Sequence, residues 1–137
     1  MNSIYTICYV SKVAPNLSDK DIQDLFKFTA TINNKNKISG ILLHSLDNFF
    51  QVLEGDEKCL KDLYNKIKED PRHYELYEVY NKKTIHPVFS NYKSTFDIVK
   101  TATDLKLVLA YLNQDIANST NRKLKRLLTP FDLLGDF

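Results

Sequence analysis

Seven consecutive residues, Phe49-Phe50-Gln51-Val52-Leu53-Glu54-Gly55, constrain this chain more than any other stretch. Their aromatic and β-branched run reads as a strand, bounded by the turn residues Asp47-Asn48 before it and Gly55-Asp56 after it. Side chains alternate across a strand, so Gln51 shares one face with Phe49 and Leu53, while Phe50 and Val52 share the other. Both faces therefore read as buried, and one of them carries a primary amide. A buried amide left without a partner costs about 1–3 kcal/mol. Gln51 must meet a neighbouring side chain, a water or a ligand.

The flanking segments say what kind of sheet this strand enters. Residues 4–10 read as a strand with Ile4, Thr6, Cys8 and Val10 on one face and Tyr5, Ile7 and Tyr9 on the other. Pro15-Asn16 breaks the chain, and Ser18 is placed to cap a helix whose first turn holds Asp19 and Asp21, where the helix dipole favours carboxylates. Ile22, Leu25, Phe26, Thr29 and Ile32 repeat at helical spacing, so this helix should run from 19 to about 32, with Asn33 at its exit. Residues 38–44 form a second strand, and the turn at 45–48 makes 38–54 a β-hairpin. Asp56-Glu57 supply N-terminal charge for a second helix striped by Leu60, Leu63, Tyr64 and Ile67, which Asp70-Pro71 ends. Residues 75–85 and 88–99 read as two further extended segments.

The element order βαββαββ predicts an α+β, ferredoxin-like sheet with both helices on one face. The other face, carrying Phe50, Val52 and Cys8, then needs a cover of its own. Residues 104–112 are apolar nearly all round, as a buried helix would be, and Leu124, Leu127 and Leu128 stripe another helix that Pro130 should end. The expected organisation is a core domain over 1–98 with a helical extension over 99–137 packed on the sheet, and no separate output domain. A chain of 137 residues suits one domain.

Several function classes are excluded or weakened by composition. A net charge of +2 is too small to imply nucleic acid or a membrane surface by its field alone, and Arg122-Lys123-Leu124-Lys125-Arg126 reads as a solvated helix face. No apolar run approaches a membrane span, and the start lacks the pattern of a secretory leader. Cys8 and Cys59 show no disulfide-framework or metal spacing, and His44, His73 and His86 lie on different elements, so no metal is expected. A reduced, cytoplasmic protein is the default reading. With three glycines, none of them clustered, there is no phosphate-cradling loop.

In a split-βαβ sheet the first strand and the second strand of the hairpin are central neighbours. Tyr9 and Gln51 can then meet on the helix-facing side. On geometry alone this is either a structural pair in a core or part of a site.

Cys8-Tyr9-Val10-Ser11, then Asn33 seven residues before Gly40, then Phe49-Phe50-Gln51-Val52-Leu53-Glu54-Gly55, and Asp70-Pro71-Arg72-His73 after the second helix, resemble the BLUF family of blue-light sensors using flavin over about residues 4–98. The resemblance implies a flavin ring held between the two helices above the sheet, with FAD as the first expectation and FMN or riboflavin as alternatives. It implies that Tyr9 is the photoactive tyrosine, Gln51 the switching glutamine and Asn33 the amide that bonds the pyrimidine edge of the ring. Arg72 and His73 match a pair near the cofactor. Ile22, Leu25, Phe26, Ile38 and Leu63 are the expected apolar walls of the slot. In the family's outline, light drives an electron and then a proton from the tyrosine to the flavin, and their return leaves the glutamine rotated or tautomerised. The expected protein is thus a reversible switch and not an enzyme, signalling through a separate regulator protein or a homo-oligomer. A flavin-free ferredoxin-like interaction module stays open as the alternative. A hydrolase of the acylphosphatase type is disfavoured, because residues 11–18 hold no arginine.

The last strand departs from the family. Tyr92 stands where members usually have Trp and Ser94 where they have Met, and the chain contains no Trp and only Met1. Tyr92 and Ser94 are therefore the expected relay positions, with Ser94 able to hydrogen-bond Gln51 directly or through water. Ser94→Met is expected to change the rate of dark recovery or the light-dependent structural change. If both stay as in the unsubstituted protein, Ser94 has no part in the relay.

Overall fold

The alternation in the two most apolar strands dictates a sheet covered on both sides, and the computed structural model has that architecture. It describes residues 4–90, 92–93, 96–115 and 118–134. In chain order the elements are β1 (Ile4–Val13), α1 (Asp19–Lys35), β2 (Ser39–Ser45), β3 (Asn48–Asp56), α2 (Glu57–Glu69), β4 (His73–Lys83), β5 (Asp97–Val99), α3 (Ala102–Asn113) and α4 (Ser119–Leu134). The five strands form one sheet in the order β4-β1-β3-β2-β5. β1 and β3 run antiparallel in the centre, with Tyr9 directly opposite Gln51 and Cys8 opposite Val52.

Each face of the sheet has its own core. Ile7, Tyr9, Leu42, Phe49 and Leu53 point to one side and pack with Ile22 and Phe26 of α1 and Leu60 and Tyr64 of α2. Cys8, Ile41, Leu43, Phe50 and Val52 point to the other and pack with Leu105, Val108 and Leu112 of α3 and Leu124 and Leu128 of α4. The burial of Cys8 pushes its thiol up to about 12, partly offset by the Lys123 charge, so it behaves as a small core hydrophobe.

Local chemistry places the helices. Ser18 Oγ accepts from the Asp21 N–H at 3.1 Å while the Asp21 carboxylate accepts from the Ser18 N–H at 3.0 Å, a reciprocal cap of the kind worth about 1 kcal/mol. The Asp56 carboxylate caps α2 by accepting from the Cys59 N–H at 3.1 Å. α1 continues to Lys35, past the expected end near 32, so Asn33 lies inside its last turn rather than at its exit. Its carbonyl accepts from the Ile38 N–H at 2.8 Å, which ties the end of the helix to the start of β2.

Two expectations are corrected. Among the described residues of 88–99 a strand is formed by Asp97–Val99 alone, parallel to β2. The reason is that Val88 and Phe89 give their N–H groups to the Glu54 carboxylate instead of to a neighbouring strand, and Tyr92 turns back on the Phe89 carbonyl. Pro130 does not end α4, which continues to Leu134. Proline removes one helical hydrogen bond, but Pro130 itself is exposed. Immediately before it Thr129 Oγ1 donates to the Lys125 carbonyl at 2.7 Å, and immediately after it Phe131 packs edge-on against Phe50 of the sheet at 6.1 Å.

Gly40 has φ +138°, and a Cβ there would meet the Val52 carbonyl oxygen at 1.9 Å. Gly55, inside the opening motif, has its nearest neighbour at 3.6 Å, an ordinary contact. Gly40→Ala should therefore abolish folding or lower stability by more than about 4 kcal/mol, while Gly55→Ala should stay within about 1 kcal/mol, both read from denaturant midpoints. Equal costs at the two glycines would contradict this account of β2–β3 packing.

Candidate functional site

Between α1 and α2, above β1, β2 and β3, lies a cleft of about 470 Å3, inside the roughly 300–1,000 Å3 range of small-molecule sites. Leu25, Phe28 and Ile32 of α1 and Leu63 and Ile67 of α2 form its walls, and Leu42 and Phe49 belong to its floor. Tyr9, Asn33 and Gln51 bring polar atoms to this apolar slot.

Register puts Tyr9 and Gln51 opposite each other, and Gln51 Nε2 donates to the Tyr9 hydroxyl oxygen at 2.5 Å. Both residues are almost fully buried, at 4% and 3% exposure. The Gln51 amide is only half satisfied: its Oε1 has no hydrogen-bond partner, and neither does Asn33 Nδ2. Each such atom costs on the order of 1–3 kcal/mol in a closed interior. Turning the Gln51 amide over does not remove the deficit. Oε1 would then accept from the Tyr9 hydroxyl, and Nε2 would face the slot without an acceptor. The pair therefore has two orientations of similar internal quality, and whatever fills the slot decides between them.

Burial pushes the Tyr9 phenol well above its ordinary value; the Gln51 bond works against this, while Tyr64, Asp70 and Cys8 add to it. Tyr9 is thus a protonated phenol throughout the physiological range. Tyr64 packs beside it with ring centroids 5.9 Å apart, and the His73 ring lies 6.0 Å away, edge-on.

The other expected residues fall into four groups. Arg72 and His73 line the cleft, but both are held by the protein. Arg72 grips Asp70 through Nε and Nη2, at 3.0 and 2.6 Å, and lies over the Phe28 ring at 5.5 Å. His73 Nε2 donates to the Ile67 carbonyl at 2.6 Å and Nδ1 meets the Ser11 hydroxyl at 2.7 Å, so its ring contributes a surface rather than a free donor. Leu25 and Leu63 line the slot as expected. Ile22, Phe26 and Ile38 do not; they are buried in the core beneath it. Tyr92 packs on the opposite side of the sheet, 4.6 Å from Tyr111 and 6.0 Å from Phe89, and Ser94 lies outside the described residues.

Phe28, Ile32, Leu42, Phe49 and Ile67 were not anticipated as lining residues. Part of the signal was present. Leu25, Phe28 and Ile32 form a second helical stripe beside the core stripe of Ile22, Phe26 and Asn33. Which stripe faces the slot depends on the rotation of α1 against α2, and periodicity does not carry that information.

An apolar slot offering one amide with an unmet acceptor and another with an unmet donor defines a binding domain for a flat heteroaromatic ligand with a polar edge. Residues 4–95 match the family model described as sensors of blue-light using FAD. The chain belongs to the BLUF family, whose domains bind FAD or FMN and act as sensors rather than catalysts. It is 35% identical over 74 residues to the blue light- and temperature-regulated antirepressor BluF of Escherichia coli, covering 54% of this chain and 18% of that protein. It is 31% identical over 78 residues to the photoactivated adenylate cyclase subunit beta of Euglena gracilis, covering 57% of this chain and 9% of that protein. The chain thus spans only a small part of the length of these relatives. Klebsiella pneumoniae BlrP1 with FMN and cyclic diGMP superposes with a TM-score of 0.73 at 27% identity, covering 92% of this chain and 36% of that one. The photo-activated state of BlsA shares the fold over 98% of both chains, with a TM-score of 0.69 at 22% identity.

The side chains present fit a flavin, since Asn33 Nδ2 lacks an acceptor and Gln51 Oε1 lacks a donor where the polar edge of such a ring would meet them. A residue kept for a ligand behaves differently from one kept for the fold. Without flavin, Asn33→Leu should leave thermal stability unchanged or raise it by about 1 kcal/mol, because it deletes a buried donor that has no acceptor. A loss of 2 kcal/mol or more in the flavin-free protein would make Asn33 structural.

Proposed function

We propose that this chain is a reversible blue-light switch in which Tyr9 is the proton-holding residue and Gln51 the moving part. The observation that carries this reading is the half-satisfied Gln51 amide, bonded to a buried phenol on one side and open to the slot on the other. A bound flavin would supply the absorption of blue light and, in its excited state, an electron acceptor. Asn33 and Gln51 would hold its polar edge, and Leu25, Phe28, Ile32, Leu63 and Ile67 its apolar faces. The Tyr9 oxygen accepts from Gln51 Nε2, so its own proton is not on that bond and would be given to Gln51 Oε1 only with the amide turned over. A change of hydrogen-bond role at the Tyr9 oxygen reverses the preferred orientation of the Gln51 amide. Gln51 then presents the other end of its side chain to the slot.

The same reading divides the chain into a flavin-binding unit over 1–98 and a helical extension over 99–137. No helix among the described residues is long and apolar enough to cross a membrane. Signal output is taken to pass to a separate regulator protein or through a change in self-association, in the cytoplasm, where the unpaired thiols Cys8 and Cys59 would stay reduced. FAD is the expected ligand, with FMN or riboflavin accepted by the same ring site.

Purified protein should be yellow, and its flavin absorption band should move to longer wavelength under blue light and return in darkness. Tyr9→Phe and Gln51→Leu should each bind flavin and lose that shift. Colourless protein that takes up no flavin on reconstitution would falsify the reading.

A further inference from the structure

On β3 the residue three positions after Gln51 is Glu54, which points to the opposite face of the sheet about 10 Å along the strand. Glu54 is 2% exposed and the only carboxylate among the buried side chains of the described residues. No salt bridge reaches it among the described residues. Instead it accepts from the Val88 N–H at 2.8 Å, the Phe89 N–H at 2.5 Å and the Thr6 hydroxyl at 3.1 Å. Burial raises the Glu54 carboxyl above its ordinary value, and these three hydrogen bonds work against that shift. The segment that crosses the second face is therefore fastened to β3 at Glu54.

Val88 is also held from the far side. Its carbonyl accepts from the Tyr111 hydroxyl on α3. One residue thus has its N–H bound to the central strand and its C=O bound to the helical layer. Around this link, the Tyr111 ring packs on Tyr92 at 4.6 Å and on Phe89 at 6.3 Å. The remaining contacts of α3 with the sheet are largely apolar, through Leu105, Val108 and Leu112, and apolar contacts have little directional preference. Two further hydrogen bonds from this layer, Tyr80 to Thr120 and Lys123 to the Val79 carbonyl, end on β4, at the edge of the sheet.

We propose that Glu54 couples the Gln51 switch to the α3–α4 layer, acting through Val88 and the Tyr111 hydroxyl. The inference rests on the reading that Gln51 moves in the light, and it names where that movement leaves the sheet. A small displacement of β3 at Gln51 carries Glu54 with it, Glu54 carries the Val88 peptide, and Tyr111 passes the displacement to the middle of α3. Neither Glu54 nor Tyr111 lines the slot, so neither is needed to bind flavin. Both are positioning residues.

The test uses the full chain loaded with flavin and follows two readouts, the light-induced red shift and hydrogen exchange over residues 102–113 in darkness and under blue light. The unsubstituted protein is expected to show both the shift and a light-dependent change in exchange. Tyr111→Phe should keep the shift and lose the light-minus-dark difference over 102–113. Glu54→Gln, which presents an amide NH2 to a backbone donor, should do the same if it folds; Tyr111→Phe, which removes one oxygen atom, carries the test if it does not. A hydroxyl that merely supports α3 would raise exchange equally in light and dark and leave the difference intact, and that result overturns the proposal. So does a normal red shift in the unsubstituted protein with no light-dependent exchange over 102–113. Absence of the red shift itself overturns the flavin reading, and the coupling with it.

Discussion

The structure depends on a register. Tyr9 and Gln51 meet because β1 and β3 pair antiparallel with those two residues directly opposite each other. The side-chain period of a strand is two, so a slip of one residue would send Gln51 to the α3–α4 side and Glu54 to the slot. Both outcomes would bury a polar group against the wrong partners. The apolar alternation of Phe49, Phe50, Val52 and Leu53 penalises the same slip, so packing and polar pairing demand the same alignment.

β3 carries two buried polar side chains on opposite faces, and the protein treats them differently. Glu54 receives three donors from its own chain, which suits a carboxylate that has nowhere to exchange with water. Gln51 donates one hydrogen bond, to the Tyr9 hydroxyl, and leaves its other polar atom open to the slot. A fully satisfied group stays in one arrangement; a half-satisfied amide keeps two within reach and leaves the choice to a ligand. The contrast separates the fixed end of the central strand from its adjustable end.

Tyr9, Asn33 and Gln51, the three polar residues that the resemblance in the sequence singles out, all line one cleft. The departures from the family pattern lie at 92 and 94, where the chain has Tyr and Ser. Tyr92 packs with Tyr111 and Phe89 on the side of the sheet away from the cleft. In this chain that position therefore belongs to the aromatic cluster that joins the 84–93 segment to α3.

Much of the fold was legible in the sequence because its causes are local. Ser18 and Asp56 cap helices through neighbours three residues away, Asp70-Pro71 stops α2, and alternation assigned the faces of β1 and β3. The adjacency of Tyr9 and Gln51 was also within reach, since a split-βαβ order leaves few ways to arrange the central strands. The rest involves partners distant in sequence. Residues 88–96 carry a β-like composition, yet a carboxylate 34 positions earlier takes the Val88 N–H that a strand would have used. Pro130 reads as a helix stop, yet contact of Phe131 with Phe50 accompanies a helix that continues through it. Ile22, Phe26 and Ile38 are apolar like the true walls of the slot, and only the packing of α1 and α2 over the sheet decides which apolar residues face a ligand and which face the core. The Tyr9–Gln51 pair and the strand that holds it follow from the sequence alone, because alternation and pairing order are properties of the chain. The shape of the slot and the fastening of the second layer arose from contacts between elements, which no local pattern encodes.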